Sequence, residues 1–329
     1  MTTIGLIVLS FLLSLACVWV FRKASAGHPR LLDIPNERSS HSVPVTRGAG
    51  LAIVLTVLGS YIGWFGNSTN LAYVVAAVTI AIVSFLDDLF SVPLILRLIV
   101  HFAAAGILLY FSGSYGEIFG VHFGPLAPWV TVVFIVWTIN AFNFMDGIDG
   151  IAGSQAIGAS LGWMILGVSA GIPAYSNLGA ILLGASAGFL VFNWQPAKIF
   201  MGDVGSTFLG FTFAAFPLIN SSDSQTANVS GLTTAIIFLW LFLFDTVFTR
   251  FWQIVRLTPF WRPHRDHLYQ RLTLSGESHQ KVALFFGMVA IGSAILFNTV
   301  GMIGWVPLAL LLLASAVGLT AWARKKRLT

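Results

Sequence analysis

The stretch Asn140-Ala141-Phe142-Asn143-Phe144-Met145-Asp146-Gly147-Ile148-Asp149-Gly150 decides how the chain is read. It closes a run of near-pure hydrocarbon that begins at Trp129, then sets two amides and two carboxylates (Asn140, Asn143, Asp146, Asp149) at a spacing of three. Residues three apart share a face of a helix, so the spacing predicts a polar ladder down one side of a helix end. A carboxylate deep in a bilayer helix costs about 2.5–3.5 kcal/mol, so acids at the edge of such a run are expected to have a use. Gly147 and Gly150 are expected to let a second backbone, or a phosphate, come close. The stretch reads as the floor of a site at a membrane surface.

The rest of the composition agrees. The chain is 57% hydrophobic and 9% charged, with a mean hydropathy of +0.87, which excludes an ordinary soluble domain and indicates an all-α, polytopic membrane protein. Spans are expected near Ile4–Phe21, Gly48–Phe65, Leu71–Leu86, Leu94–Phe111, Pro128–Phe142, Ile151–Ala170, Ser176–Phe192, Ser206–Asn220, Leu232–Trp252, Lys281–Phe297 and Gly304–Ala323, about eleven in all. No linker or repeat divides the chain, so residues 1–329 are read as a single transmembrane domain. The lone Cys17 falls inside the first span and reads as a packed thiol.

With eleven spans, all seventeen Lys and Arg residues fall on one side. The positive-inside rule makes that side cytoplasmic, with the N-terminus outside and the C-terminus inside. The net charge of +5 therefore reports membrane topology, not nucleic-acid binding. Most acids share the basic side, in loops 22–47, 87–97, 143–150, 193–206 and 253–280. There they form a set of hard oxygen donors beside cations, which suits Mg²⁺, or Mn²⁺, and phosphate. Asp203, just ahead of a new span, also sits at a helix N-terminus, which favours an anion.

Five stretches on that face, taken in order, resemble the polyprenyl-phosphate N-acetylhexosamine-1-phosphate transferase superfamily (glycosyltransferase family 4). They are Asp33 to Gly50, Asp87-Asp88, Asn140 to Gly150, Phe200-Met-Gly-Asp203-Val-Gly-Ser206, and His264-Arg265-Asp266-His267. Ala49 replaces one of the paired glycines, and Ser91 stands where a third acid is frequent. The last loop lacks consecutive histidines, which favours the branch that starts O-antigen and other surface polysaccharides over the phospho-N-acetylmuramoyl-pentapeptide translocase.

The resemblance implies transfer of a HexNAc-1-phosphate from a UDP-N-acetylhexosamine (GlcNAc, GalNAc, FucNAc or QuiNAc type) to undecaprenyl phosphate, with release of UMP. It implies an active site on the cytoplasmic face of a bacterial inner membrane, and a protein that can form homodimers. It assigns Asp203 and Asn143 to the metal, and Asp87, Asp88, Asp146 and Asp149 to catalysis. Arg97, Lys198, Asn193, His264, Arg265, His267, Asn36 and His41 are assigned to substrate. Asp245 with Arg250 reads either as part of this site or as a structural pair, and Asn140 either as a ligand or as an interhelical hydrogen bond. The rival class is a secondary transporter with a cytoplasm-facing acidic site. A transporter normally keeps its charges near the bilayer midplane within an inverted repeat, and neither pattern is visible.

Overall fold

The computed structural model describes residues 2–35, 43–66, 70–219, 231–257, 265–303 and 305–325. They form thirteen α-helices and two small hairpins: α1 Thr3–Ala24, α2 Leu51–Phe65, α3 Leu71–Phe90, α4 Leu94–Ser112, α5 Ala127–Met145, α6 Ile151–Ser169, α7 Pro173–Asn193, α8 Gly202–Ala215, α9 Gly231–Phe238, α10 Trp240–Val255, α11 Leu268–Leu274, α12 His279–Ile303 and α13 Val306–Lys325. Each expected apolar segment is helical. Eight helices are long and apolar enough to cross a membrane, and α9 with α10 makes a ninth if counted as one bent span. At 15 and 14 residues, α2 and α8 are shorter. The chain is a multi-pass membrane protein.

Unlike a soluble protein, the bundle is apolar on its outer face as well as inside. α4 turns Ile95, Ile99, Tyr110 and Phe111 outward, the faces that lipid would cover. The interior is itself largely Leu, Ile, Val, Ala and Phe, with Ser, Thr and Gly among them where helices cross. α1 crosses α7 where Gly184 and Gly188 leave no room for a Cβ beside the α1 backbone, and Ser14 donates to the Ala185 carbonyl at 2.7 Å. Small residues let membrane helices pack backbone to backbone, since lipid supplies no hydrophobic drive for their association. An aromatic knot fixes the far end of the bundle, with Trp163 stacked on Phe216 at 4.7 Å and edge-on to Tyr175 and Phe238.

One expectation fails. The ninth span is not a straight helix over 232–252, because α9 and α10 meet at 82°. Leu239 at the break is neither Pro nor Gly, so the sequence carries no kink signal. A tertiary partner holds the bend: Gln155 donates to the Phe238 carbonyl at 2.7 Å, satisfying a group that hydrocarbon would leave bare. Beyond the bend, α10 turns Asp245, Thr246 and Thr249 inward and Val247, Phe251 and Ile254 outward.

At the end of the bundle where α3, α5 and α7 finish and α8 begins, β1 (Leu32–Asp33) pairs antiparallel with β2 (Val45–Thr46). A second hairpin, β3 (Glu117–Ile118) with β4 (Val121–His122), lies at the opposite end, tied to α9 where Phe119 N–H donates to Thr233 at 2.8 Å.

Candidate active site

The site is built where the segment after β2 meets the segment before α8. Phe200 N–H donates to Thr46 O (2.8 Å), Ala49 N–H to Phe200 O (3.1 Å) and Gly50 N–H to Met201 O (2.8 Å). The approach is so close that a Cβ on Gly50 would overlap Gly205. Gly202, with φ +74°, makes the turn into α8, and a Cβ there would lie 2.6 Å from an Asp88 oxygen. No other residue type meets both demands.

Asp88, buried at 3% exposure, caps α8 from the end of α3. Its Oδ1 accepts from Asp203 N–H at 3.0 Å and its Oδ2 from Val204 N–H at 3.1 Å. A helix start has unpaired N–H groups and a partial positive charge, and a carboxylate answers both. Arg47 donates to the Asp88 carbonyl at 2.8 Å. Both Asp88 side-chain oxygens are thus committed to holding α8.

The neighbouring Asp87 points the other way. Its Oδ1 accepts from Val92 N–H at 2.6 Å, closing the turn out of α3. Ser91, in the place of the frequent third acid, adopts a left-handed φ of 57° in that turn. The turn returns Arg97 over the site, where one guanidinium nitrogen lies 2.5 Å from Asp87 Oδ2 and 2.8 Å from Asp203 Oδ2. Arg97 therefore joins α3 to α8 through two carboxylates.

From α5, Asn143 donates to Ser206 at 3.1 Å, one turn along α8 from Asp203. Asp146 follows the last turn of α5, and its carboxylate makes no hydrogen bond to a described residue. Its enclosure, together with the charges of Asp203, Asp88 and Asp149, pushes its carboxyl well above the ordinary carboxylate range. Four carboxylates (Asp87, Asp88, Asp146, Asp203) thus gather beside two guanidiniums, Arg97 on Asp87 and Asp203 and Arg47 on Asp88, an excess of acids that favours a further cation.

The polar ladder is shorter than its spacing suggested, because α5 stops at Met145. Asn140 donates back to Val136 O within its own helix at 2.7 Å. Asn143 and Asp146 face Asp203. Asp149 turns aside: it accepts from Ala197 N–H at 3.0 Å and lies 3.4 Å from His279 Nδ1. Asn193, 3% exposed, accepts from Gly150 N–H at 3.0 Å and donates to Ile199 O at 2.9 Å. Asp149 and Asn193 thus fasten the loop after α5 to the segment after α7. The two glycines admit aromatic side chains instead of phosphate: a Cβ on Gly150 would press on Trp194, and one on Gly147 would overlap the Tyr269 hydroxyl.

Tyr269 belongs to a support that sequence reasoning passed over. Asp245, fully buried, accepts from Leu268 N–H at 2.9 Å and Tyr269 N–H at 3.1 Å, capping α11. It also accepts from Thr249 at 3.0 Å and lies 3.1 Å from His267 Nδ1. Its partners are on α11, whereas Arg250 donates to Gln253 at 2.9 Å and lies over the Phe144 ring at 5.2 Å. Tyr269 donates its hydroxyl to the Phe144 carbonyl at 2.9 Å, so α11 holds the end of α5 two residues ahead of Asp146. His267, buried in this support, stacks against Tyr269. The Asp-His-Leu-Tyr run was readable, but nothing in it said which carboxylate would cap it.

Lys198 is exposed beside the site, and Arg265 is partly exposed near Tyr269. Asn36, His41 and His264 lie outside the described residues. Among the described residues, no three His, Cys, Asp or Glu side chains form a ready-made metal cage. Asp87, Asp88, Arg97, Asn143, Asp146 and Asp203 are brought together from α3, α4, α5 and α8.

Residues 47–221 match the family model described as glycosyl transferase family 4. The chain is 30% identical over 296 residues to the probable undecaprenyl-phosphate N-acetylglucosaminyl 1-phosphate transferase of Bacillus subtilis (strain 168), covering 86% of this chain and 82% of the relative. It is 29% identical to the undecaprenyl-phosphate alpha-N-acetylglucosaminyl 1-phosphate transferase of Yersinia pestis (92% of this chain, 87% of the relative). It is 28% identical to the protein of the same description from Escherichia coli (strain K12) (89% and 84%). The matched segment carries every member of the carboxylate cluster, and on this agreement the chain belongs to glycosyl transferase family 4.

Proposed function

We propose that this protein transfers a HexNAc-1-phosphate from a UDP-N-acetylhexosamine to undecaprenyl phosphate, releasing UMP and starting lipid-linked surface polysaccharide such as O-antigen. The site would face the cytoplasm at a bacterial inner membrane. The observation that carries this reading is the Asp87–Arg97–Asp203 bridge, with Asn143 and Asp146 beside it, at one rim of an apolar bundle. Such a rim is reached by a water-soluble nucleotide and by an acceptor confined to lipid.

An oxygen of the lipid phosphate attacks the phosphorus that bears the sugar, and the bond from that phosphorus to the UMP oxygen breaks. A phosphomonoester has a second pKa of about 6, so the nucleophile is largely ionised at neutral pH and needs no strong base. The barrier is anion meeting anion, which positioning and charge neutralisation must lower. Arg97, held by two carboxylates, is pre-set to face a diphosphate. Asp87 and Asp88 already have their oxygens engaged by N–H groups, which favours direct attack over a route through an aspartyl phosphate.

The donor set fits Mg²⁺: oxygen-rich, without sulfur, and carrying surplus negative charge. Asp203 and Asn143 would hold the ion, in keeping with its habit of taking one or two protein carboxylates and completing its shell with water and substrate phosphate. Bound there, the ion would supply positive charge to the diphosphate.

The test is direct. Purified protein is incubated with polyprenyl phosphate, Mg²⁺ and a panel of UDP-N-acetylhexosamines, and UMP is measured. Release with at least one sugar is expected. No release with any, accompanied by solute counterflow in liposomes, would replace the enzyme with a transporter.

A further inference from the structure

The face of α10 that carries Asp245 borders a second recess. A cleft of about 140 Å³ opens between α10, α11 and α13, walled by Phe248, Trp252 and Leu268 and flanked by Arg256, Arg271 and Arg324. Phe248, Trp252 and Arg256 recur at a spacing of four along α10, which puts them on one stripe. The Arg256 guanidinium lies 5.8 Å from the Trp252 ring. Leu268 and Arg271 are three apart on α11, and Arg324 is in the last turn of α13. Asp266, 4.0 Å from Arg271, is the acid at this edge. Glu277, further along, is engaged by Lys281 and Trp322.

Position makes this charge informative. Arg324 ends a helix apolar enough to cross a bilayer, so the cleft lies where hydrocarbon gives way to water. On its other face α10 exposes Val247, Phe251 and Ile254, and the chain continues past Arg324 with Lys325, Lys326 and Arg327. A soluble anion would gain little from the aromatic and aliphatic walls, and a neutral lipid little from three guanidiniums. A lipid with a negative phosphate head and acyl chains uses both. Basic pockets between membrane helices recognise such heads, and the arginine fork suits phosphate oxygens.

We propose that this cleft binds the phosphate head of an anionic glycerophospholipid of the surrounding bilayer, pinning α11 between α10 and α13. The site is separate from the carboxylate cluster and does not depend on the transferase reading.

Native mass spectrometry and thermal unfolding of the detergent-purified full chain test it, with phosphatidylglycerol, phosphatidylcholine, inorganic phosphate and polyprenyl phosphate as probes. Phosphatidylglycerol should be retained and raise the unfolding temperature, whereas phosphatidylcholine and millimolar phosphate should do neither. Each arginine near an anionic head contributes on the order of a fivefold change in affinity. Arg256→Gln/Arg271→Gln/Arg324→Gln together should therefore weaken phosphatidylglycerol binding by roughly a hundredfold. If the triple variant does not fold, the exposed Arg324→Gln alone should show the single-residue loss. Asp203→Asn should bind phosphatidylglycerol as the wild type does. Undiminished binding by a folded arginine variant, equal binding of phosphatidylcholine, or reproduction of the shift by phosphate alone would overturn the proposal. Displacement of phosphatidylglycerol by equimolar polyprenyl phosphate would also overturn it, since the cleft would then belong to the acceptor.

Discussion

Two buried carboxylates do the same mechanical job at two places in this protein. Asp88 on α3 grips the first N–H groups of α8, and Asp245 on α10 grips those of α11. They differ in what the gripped helix presents. The first turn of α8 offers Asp203 to Arg97, Asn143 and the opening beside them. The first turn of α11 offers Tyr269, fully buried, to the Phe144 carbonyl two residues ahead of Asp146. In the proposed reaction one cap places the carboxylate that would hold the metal, and the other places a support. An intramembrane acid is thus no sign of chemistry by itself; what it holds decides.

The comparison can be broken at either cap. The largest effect is expected from the group presented. Asp203→Ala should cut UMP release by about a thousandfold or more, the scale for losing a preorganised electrostatic partner, while the unfolding temperature stays near that of the wild type. Wild-type rates at limiting Mg²⁺ would remove Asp203 from the metal.

Next come the acids at the end of α3. Asp87→Asn and Asp88→Asn should each lower turnover at least about tenfold, the low end for a misplaced electrostatic group. Asp88→Asn should destabilise the fold the more, by about 1–3 kcal/mol, because its buried amide cannot accept from both helix N–H groups. Equal thermal shifts for the two variants would mean that Asp88 is not the cap.

Tyr269→Phe is expected to do less. It removes one hydrogen bond, worth about 0.5–1.5 kcal/mol, and should lower kcat about three- to tenfold on the same scale with KM for the nucleotide little changed. A change in KM alone would place Tyr269 on the substrate.

The smallest effect concerns stability. The folded Asp146 carboxyl titrates well above its unfolded value, so folding favours its protonated form. Its contribution is most favourable at low pH and is lost as pH rises through the folded value. Asp146→Asn should therefore unfold at a higher temperature than wild type at pH 8 and at nearly the same temperature at pH 5. Added Mg²⁺ should narrow the difference at pH 8. A gap that grows toward acid pH would reverse the assigned shift.

Much of this was legible in residue order. Apolar runs locate helices because a bilayer rewards them wherever they occur, and Asp87, Arg97, Asn143 and Asp203 stood out because charge next to hydrocarbon is costly. What was not legible depended on partners. The break at Leu239 leaves no mark in the chain, since Gln155 on another helix stabilises it. Asp149 and Asn193 carry the same functional groups as Asp146 and Asn143. Their N–H partners, which make them fasteners, come from segments distant in sequence. The spacing of three extended past Met145 on paper only, because nothing in the periodicity marked where α5 stops.

The junction of the two glycine-lined segments has a consequence for biosynthesis. Asp88 leaves the ribosome 115 residues ahead of the amide it will cap, and Thr46 emerges long before Phe200. Until α8 arrives, the early helices sit in the bilayer with an acid that has nothing to grip. Insertion of the first half and completion of the rim are therefore separate events in the life of the nascent protein, and a chain arrested before Gly202 would be membrane-embedded yet inert.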